Sequence, residues 1–419
     1  MSSLKLRISP KIFIFIVAEM SFFILRVKTS IEIFFFMFIM FAVFFIFNLF
    51  VLLLNLLLRG KLVISRDIQE KITQGQLLSV QLSVSNLSHV FFMNIAVSDF
   101  LGCDLKEKDK KFFIDWLGRK SEFKLSYGCV CEKRGLYGVG PVKVSFLDFL
   151  GLFSLEEDYG LKTLLYVYPQ TFDIRYMMPL VRGRLPWFGL ETTAISGDDH
   201  DFFGVREYKR GDPIKRVHWL STARKGVLIV REYQRISFYR VSLIFVLNQH
   251  ENIGGGKESV AEYIIKISAS LAKYFVQKNI CVELLAHAGK IAYFPSNRGG
   301  AYLEELFKFF TVAEAKSKIK PGDFLQENYR IVSSDSTIFL LITENNMDSV
   351  YKILSLKEQN VSLVVLILVA STFAAQGVEN QDVSSMKSRV AAELAHMNIK
   401  VLFFCKGDDL AAVFARGNL

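Results

Sequence analysis

The residues best equipped for chemistry fall into three groups. Asp198, Asp199, His200 and Asp201 run consecutively, and carboxylates beside an imidazole are the raw material of a metal site or a hydrolase. Four consecutive side chains cannot all face one ion, and no His or Cys recurs at ligand spacing. An acidic loop is therefore expected here, with a hydrolase using Asp198–His200 and the C-terminal sheet as the alternative. The second group is Asn248, His250 and Asn252, just ahead of Gly254-Gly255-Gly256-Lys257. Glu251 stands where a phosphate-binding P-loop needs its first glycine, and Glu258 replaces the Ser or Thr after the lysine, so that reading fails. The third group is five cysteines between Cys103 and Cys405. An odd, scattered set offers no disulfide framework and fits a reducing compartment. Cys129-x-Cys131 lacks the spacing of zinc or redox pairs and reads as two alternate strand positions. No nucleophile stands out beside a base, so a non-enzyme is expected, although the members of a triad need only meet in space.

A basic–aromatic string lies between these groups. Val205 to Arg235 holds nine basic residues against three acidic ones. Gly211-Asp212-Pro213 marks a turn within it. After the turn, Arg216, His218-Trp219 and Arg224 interleave with apolar residues. The structural reading makes Trp219 a core anchor, with Arg216 and Arg224 paired to Glu207 and Asp212, since a planar guanidinium grips carboxylates bidentately. The rival readings are a partner surface, or a membrane-surface or nucleic-acid binder, which would show steep salt dependence. No nucleic-acid reading motif accompanies the charge, so no nucleic-acid partner is expected.

These groups must be held by larger elements. Among 419 residues, 51% are hydrophobic, 39 are Phe, mean hydropathy is +0.30 and net charge is +10. This excludes a disordered chain or a disulfide miniprotein and suggests two to three domains. Ile31 to Leu58 is almost wholly apolar, with Glu32 its single charge, and is long enough to span a bilayer. Ile12 to Leu25 is shorter and carries Glu19. Because Arg26-Val27-Lys28 follows it in place of a cleavage site, a tight transmembrane hairpin over residues 1–60 is the expectation. Lys5, Arg7 and Lys11 on one flank and Arg59, Lys61 and Arg66 on the other outnumber Arg26 and Lys28 in the connector. The positive-inside rule then puts the body in the cytoplasm, anchored to the cytoplasmic membrane. Residues 61–170 alternate with period two, as at Leu78, Val80, Leu82 and Val84, and predict an antiparallel β-sandwich, with a break at Tyr137-Gly138-Val139-Gly140-Pro141. Residues 171–240 form a linking segment that carries the string. Residues 241–419 alternate apolar strands (241–248, 280–287, 336–343, 361–368, 400–404) with helical periods, which predicts a mostly parallel sheet covered on both faces.

The string also carries a resemblance. Gly204-x-Arg206-Glu207-Tyr208-x-x-Gly211-Asp212-x-x-x-Arg216-x-x-Trp219-x-x-x-Ala223-Arg224 resembles the signature of the domain of unknown function 58 family. Arg134-Gly135-x-Tyr137-x-x-Gly140-Pro141 and Asp148-Phe149-Leu150-Gly151-Leu152-Phe153 resemble two further elements of that family, with Phe149 replacing a proline. The resemblance implies a membrane-anchored protein with a C-terminal von Willebrand factor A-like domain. It further implies a partner of a MoxR-type AAA+ ATPase, acting in the assembly or maturation of other proteins; with no catalytic set in view, a non-enzymatic scaffold is the expectation. In von Willebrand factor A domains the loop after the first strand is Asp-x-Ser-x-Ser and holds Mg²⁺. Asn248, His250 and Asn252 occupy those positions here, with Glu344 as a remnant acid, so the site reads as eroded, because Mg²⁺ prefers hard, mostly anionic oxygens. No cofactor is expected.

Overall fold

The computed structural model describes residues 4–29, 31–103, 108–175, 191–237, 240–332, 336–346, 352, 362–374, 380–396 and 399–416. The chain forms two compact units, Met1–Gln170 and Thr171–Leu419.

Unit 1 begins with a short strand β1 (Lys5–Ile8), followed by helices α1 (Lys11–Thr29) and α2 (Glu32–Leu58). Phe15 and Phe22 of α1 pack on Phe41 of α2, with ring centroids 5.5 and 5.3 Å apart. Of the two helices, α2 has the length and apolar composition to cross a membrane. Its last turns do not face outward all round: Asn48, Val51, Leu52 and Asn55 are buried. Asn55 donates to the Met93 carbonyl at 2.8 Å, and Asn48 accepts from the Leu150 N–H at 3.2 Å. The two asparagines of this largely apolar helix are thus its clamps onto the β-body.

That body comprises β2 (Leu62–Ile68), β3 (Lys71–Thr73), β4 (Leu77–Asn86), β5 (Phe92–Leu101), β6 (Asp109–Leu117), β7 (Glu122–Val130), β8 (Gly135–Leu147), β9 (Phe153–Asp158) and β10 (Thr163–Tyr168). One sheet runs β1-β9-β8-β10-β3, with β5 also on β8 and β6 on β5, and the other is β2-β4-β7. All pairings are antiparallel except β10 with β3. The alternation read in β4 is realised: Leu78, Val80, Leu82 and Val84 are fully buried. They join Phe92, Val97, Val144 and Leu165 from the facing sheet in two adjoining cores. The expected break at Tyr137–Pro141 is corrected, because β8 runs straight through it. Val139 pairs with Leu101 and Val142 with Asp99. Gly140-Pro141 is therefore taken up as a bulge, the place where a strand tolerates a residue without an N–H. Gly140 has φ +94°, and a Cβ there would lie 1.9 Å from the Leu161 carbonyl oxygen, so this position requires glycine.

Unit 2 opens with an antiparallel ribbon of β11 (Glu191–Glu207) and β12 (Ile229–Ser237), with the short helix α3 (Trp219–Lys225) in the excursion between them. Next come β13 (Arg240–Val246), a small hairpin of β14 (Gly254–Gly255) and β15 (Glu258–Ser259), and α4 (Val260–Gln277). They are followed by β16 (Cys281–His287), β17 (Ile291–Asn297), α5 (Gly300–Val312), α6 (Pro321–Asn328) and β18 (Ser336–Thr343). The unit ends with β19 (Ser362–Leu368), α7 (Asn380–His396), β20 (Lys400–Phe404) and α8 (Leu410–Arg416). The main sheet has the order β17-β16-β13-β18-β19-β20, parallel except for β17 at the edge. Each expected strand is present within a residue or two; β17 is additional. Alternate residues serve opposite faces: Leu243 and Phe245 pack with α4, α5 and α8, while Ile244 and Val246 pack with α6 and α7. Burial on both faces explains why these strands read as unbroken apolar runs.

Candidate functional site

Three of the signature residues, Arg206, Gly211 and Asp212, meet at one turn. Arg206, at the end of β11, grips Asp212 with both arms, Nη1 to Oδ2 at 2.7 Å and Nη2 to Oδ1 at 2.8 Å. Asp212 also accepts from the Lys209 N–H at 2.8 Å, and Gly211 before it has φ +112°. Hydrogen bonds from Arg206 and from the Lys209 N–H hold the Asp212 carboxyl down at about 2. The partner of Asp212 is thus Arg206. Glu207 contributes its carbonyl, which accepts from Arg206 at 3.0 Å, while its side chain is exposed. The Tyr208 N–H bonds the Leu228 carbonyl across the ribbon. His218 caps α3: its Nδ1 accepts from the Ser221 N–H. Gly226, in a left-handed conformation, ends the helix, as a C-terminal cap requires. Val217 is buried beneath, bridged to Val230.

One expectation is overturned here. Trp219 is no core anchor: it is 65% exposed, and Leu220 at 63% and Ile214 at 70% are exposed as well. Val217 and the buried Ile229 and Val230 supply the packing that anchors this region. Trp219 is the first residue of α3, one position beyond the cap. Arg224, on the same short helix, is also exposed, and Arg216 is half-buried. The pinned turn and capped helix therefore present apolar and cationic side chains together.

Asp198, Asp199, His200 and Asp201 fall within the span of β11, where its pairing with β12 is interrupted between Ser196 and Asp201, both opposite Gln234. Their side chains lie outside the described residues.

At the carboxyl end of β13, the second group is tied up internally. Asn248 accepts from the His250 N–H at 2.8 Å and donates to the Ile319 carbonyl at 3.1 Å. Asn252 accepts from the Ala261 N–H at 3.0 Å, holding the start of α4. Glu344, the expected remnant acid, accepts from the N–H groups of Ala370 and Ser371 across the sheet end. Glu251 accepts from Thr343 at 2.7 Å and from Asn346. At this end of the main sheet, side-chain and backbone hydrogen bonds thus join the segments that follow β13, β18 and β19.

Elsewhere the fold gathers what the sequence scattered. Cys103, on the turn leaving β5, meets Cys129 of β7 and Cys131 just beyond its end. The three sulfurs lie within 4.8 Å of one another, and Cys103 and Cys129 are 3.7 Å apart. All three residues are buried. The hydrogen-bonded Cys129 thiol, together with burial, pushes Cys103 up to about 12, and the hydrogen-bonded Cys103 and Cys129 thiols, then burial, also raise Cys131. No local spacing announces this cluster, since Cys103 is separated from the pair by β6 and most of β7.

Residues 204–343 match the profile of the family described as Protein of unknown function DUF58, and the signature residues lie inside that span. No curated protein matches the chain. Among solved structures, the CARDB domain of the PF1109 protein from Pyrococcus furiosus is 14% identical, covering 25% of this chain and 91% of that one at TM-score 0.19. Proximal thread matrix protein 1 from the mussel byssus is 9% identical over 43% of this chain and 47% of its own, at TM-score 0.29. A β-glucosidase from Listeria innocua is 12% identical over 25% and 16%, at TM-score 0.17. At such scores these likenesses carry no argument about fold or activity.

Proposed function

We propose that this chain, which carries the DUF58 region at residues 204–343, is a membrane-anchored scaffold that captures a protein partner through its signature turn. The observation that carries the reading is the exposure of Trp219, Leu220 and Ile214 in the segment between the Arg206–Asp212 fork and the capped end of α3. Exposed aromatic side chains beside arginine are the usual energetic centres of protein interfaces, and a pre-ordered mount lowers the entropic cost of binding. The anchor is the α1–α2 hairpin. Its support is that β1, ahead of α1, pairs with β9, while the end of α2 is clamped to Met93 and Leu150 of the same body. Both ends of the hairpin thus return to one β-body, as two spans with a common side require, and the charge bias puts that side in the cytoplasm.

The order of the main sheet and its helices on both faces support a von Willebrand factor A-like reading of residues 241–419, with partner contact that does not depend on Mg²⁺. The family resemblance supplies the partner class, a MoxR-type AAA+ ATPase, and a role in assembling or maturing other proteins. A photo-crosslinking residue placed at Trp219 or Leu220 and activated in native membranes tests the reading. A single dominant protein adduct that disappears in Ile214→Ala is the expected result. Crosslinks to lipid alone, or to many proteins without preference, would refute the docking role.

A further inference from the structure

We propose that Cys103, Cys129 and Cys131 form a binding site for a single thiophilic d10 metal ion, Zn(II) or Cu(I), inside unit 1. The geometry is that of a ligand set. An ion bound at about 2.3 Å from each sulfur in tetrahedral array holds its thiolates about 3.8 Å apart. Cys103 and Cys129 stand 3.7 Å apart, and Cys131 completes a triangle with no sulfur pair beyond 4.8 Å.

The surroundings select the class of ion. The walls are Ile72, Leu78, Val80, Leu101, Val139 and Leu165, with sulfur as the ligating atom. Mg²⁺ and Ca²⁺ demand oxygen ligands, whereas thiolates select Zn(II) and Cu(I). The mounting is also suited to a fixed geometry. Cys129 sits in the ladder between β4 and β7, opposite Leu78. The carbonyl of Cys131 accepts from the Gly75 N–H at 2.9 Å. Two of the three ligands are therefore held by backbone pairing before any ion arrives.

Each thiol that ligates releases its proton to solvent. Thiolates and not thiols ligate, so the ion must displace protons and affinity rises with pH. The two ions differ in how they complete the site. Three thiolates satisfy trigonal Cu(I), while Zn(II) adds a fourth, exogenous ligand and leaves less net negative charge in an apolar core.

The test uses the full chain in detergent, reduced and stripped of metal. Zn(II) is titrated against a chromophoric chelator, Cu(I) is titrated anaerobically against a Cu(I)-specific one, and Co(II) serves as a spectroscopic probe of thiolate ligation. One ion per chain is expected, with thiolate-to-cobalt charge transfer and with proton release. The Cys281→Ala/Cys405→Ala double variant binds as before. Since outer partners of a metal ligand alone are worth 10–100-fold in affinity, Cys103→Ala lowers it by more than about 100-fold. Should that variant fail to fold, the unmutated protein still decides. Metal must slow alkylation of Cys103, Cys129 and Cys131, read peptide by peptide, without slowing that of Cys281 and Cys405. Absence of stoichiometric binding of either ion, unselective protection, or recovery of a Cys103–Cys129 disulfide as the stable cellular form would overturn the proposal.

Discussion

Arg66 and Asp99 form an ion pair inside unit 1, Nη1 to Oδ1 at 2.8 Å, with their side chains 2% and 0% exposed. The other arm of Arg66 donates to the carbonyls of Val139 and Leu161 and to Thr163, and Tyr127 donates to the second oxygen of Asp99. One guanidinium thereby joins β2, β5, β8 and β10. Breaking a buried pair leaves a charge without its counterpart, so Arg66→Met or Asp99→Ala should each destabilise unit 1 by about 3–5 kcal/mol. The paired change Arg66→Met/Asp99→Leu should cost less than the sum. Denaturant titrations of the four proteins give the cycle, and strict additivity would show that the pair is not the source of the loss.

The Arg206–Asp212 fork should be visible as a pH dependence. The carboxyl of Asp212 is held at about 2, below the ordinary value of about 3.9. A depressed folded value means that its contribution is fully present above the ordinary value and is lost as pH falls toward 2. Carbon-13 shifts of the Asp212 carboxyl should report this titration directly. In Arg206→Gln the midpoint should move up toward the ordinary range. A wild-type midpoint near 4 would contradict the bidentate contact.

Trp219→Ala and Ile214→Ala should leave stability almost untouched, within about 0.5 kcal/mol, as for exposed positions generally. Val217→Ala, one turn inside, removes a buried side chain and should cost about 1–3 kcal/mol. Melting curves in detergent separate the two classes. A loss at Trp219 of the size expected for a buried aromatic would return it to a packing role.

Asn55→Leu should destabilise the junction of α2 with the β-body by about 1–3 kcal/mol, because the Met93 carbonyl loses its partner. Leu57→Ala, at an exposed position on the same helix, should be neutral. Proteolytic sensitivity of the segment around residue 60 would report the loosening, and equal effects of the two changes would exclude the clamp.

What the amino-acid order determined by itself is whatever depends on local geometry. Period-two alternation at Leu78, Val80, Leu82 and Val84 selects one face of β4 because successive strand residues point opposite ways. The apolar runs of β13, β18 and β19 announce a sheet covered on both faces, and the run from Ile31 to Leu58 announces α2. The turn at Gly211-Asp212-Pro213 was equally legible, since it rests on the conformational freedom of one glycine and the side chain beside it. Gly140-Pro141 was misread for a related reason: the same residues mark a turn or a bulge, and only the register of β8 against β5 distinguishes them.

The rest belongs to tertiary structure, because it depends on which distant segments meet. Trp219 reads as a core residue by type, yet Val217, Ile229 and Val230 already fill the space beneath α3, and the tryptophan is left outside. Asn48 and Asn55 become clamps only when α2 ends against β5 and the turn at Leu150. Cys103 reaches Cys129 and Cys131 only once β4 lies between β2 and β7 and the two sheets close face to face. Arg66 finds Asp99 by that same closure, which removes both charges from water and makes their pairing obligatory. Local pattern chooses the elements and their inward faces; the closing of the sheets decides which side chains share a site.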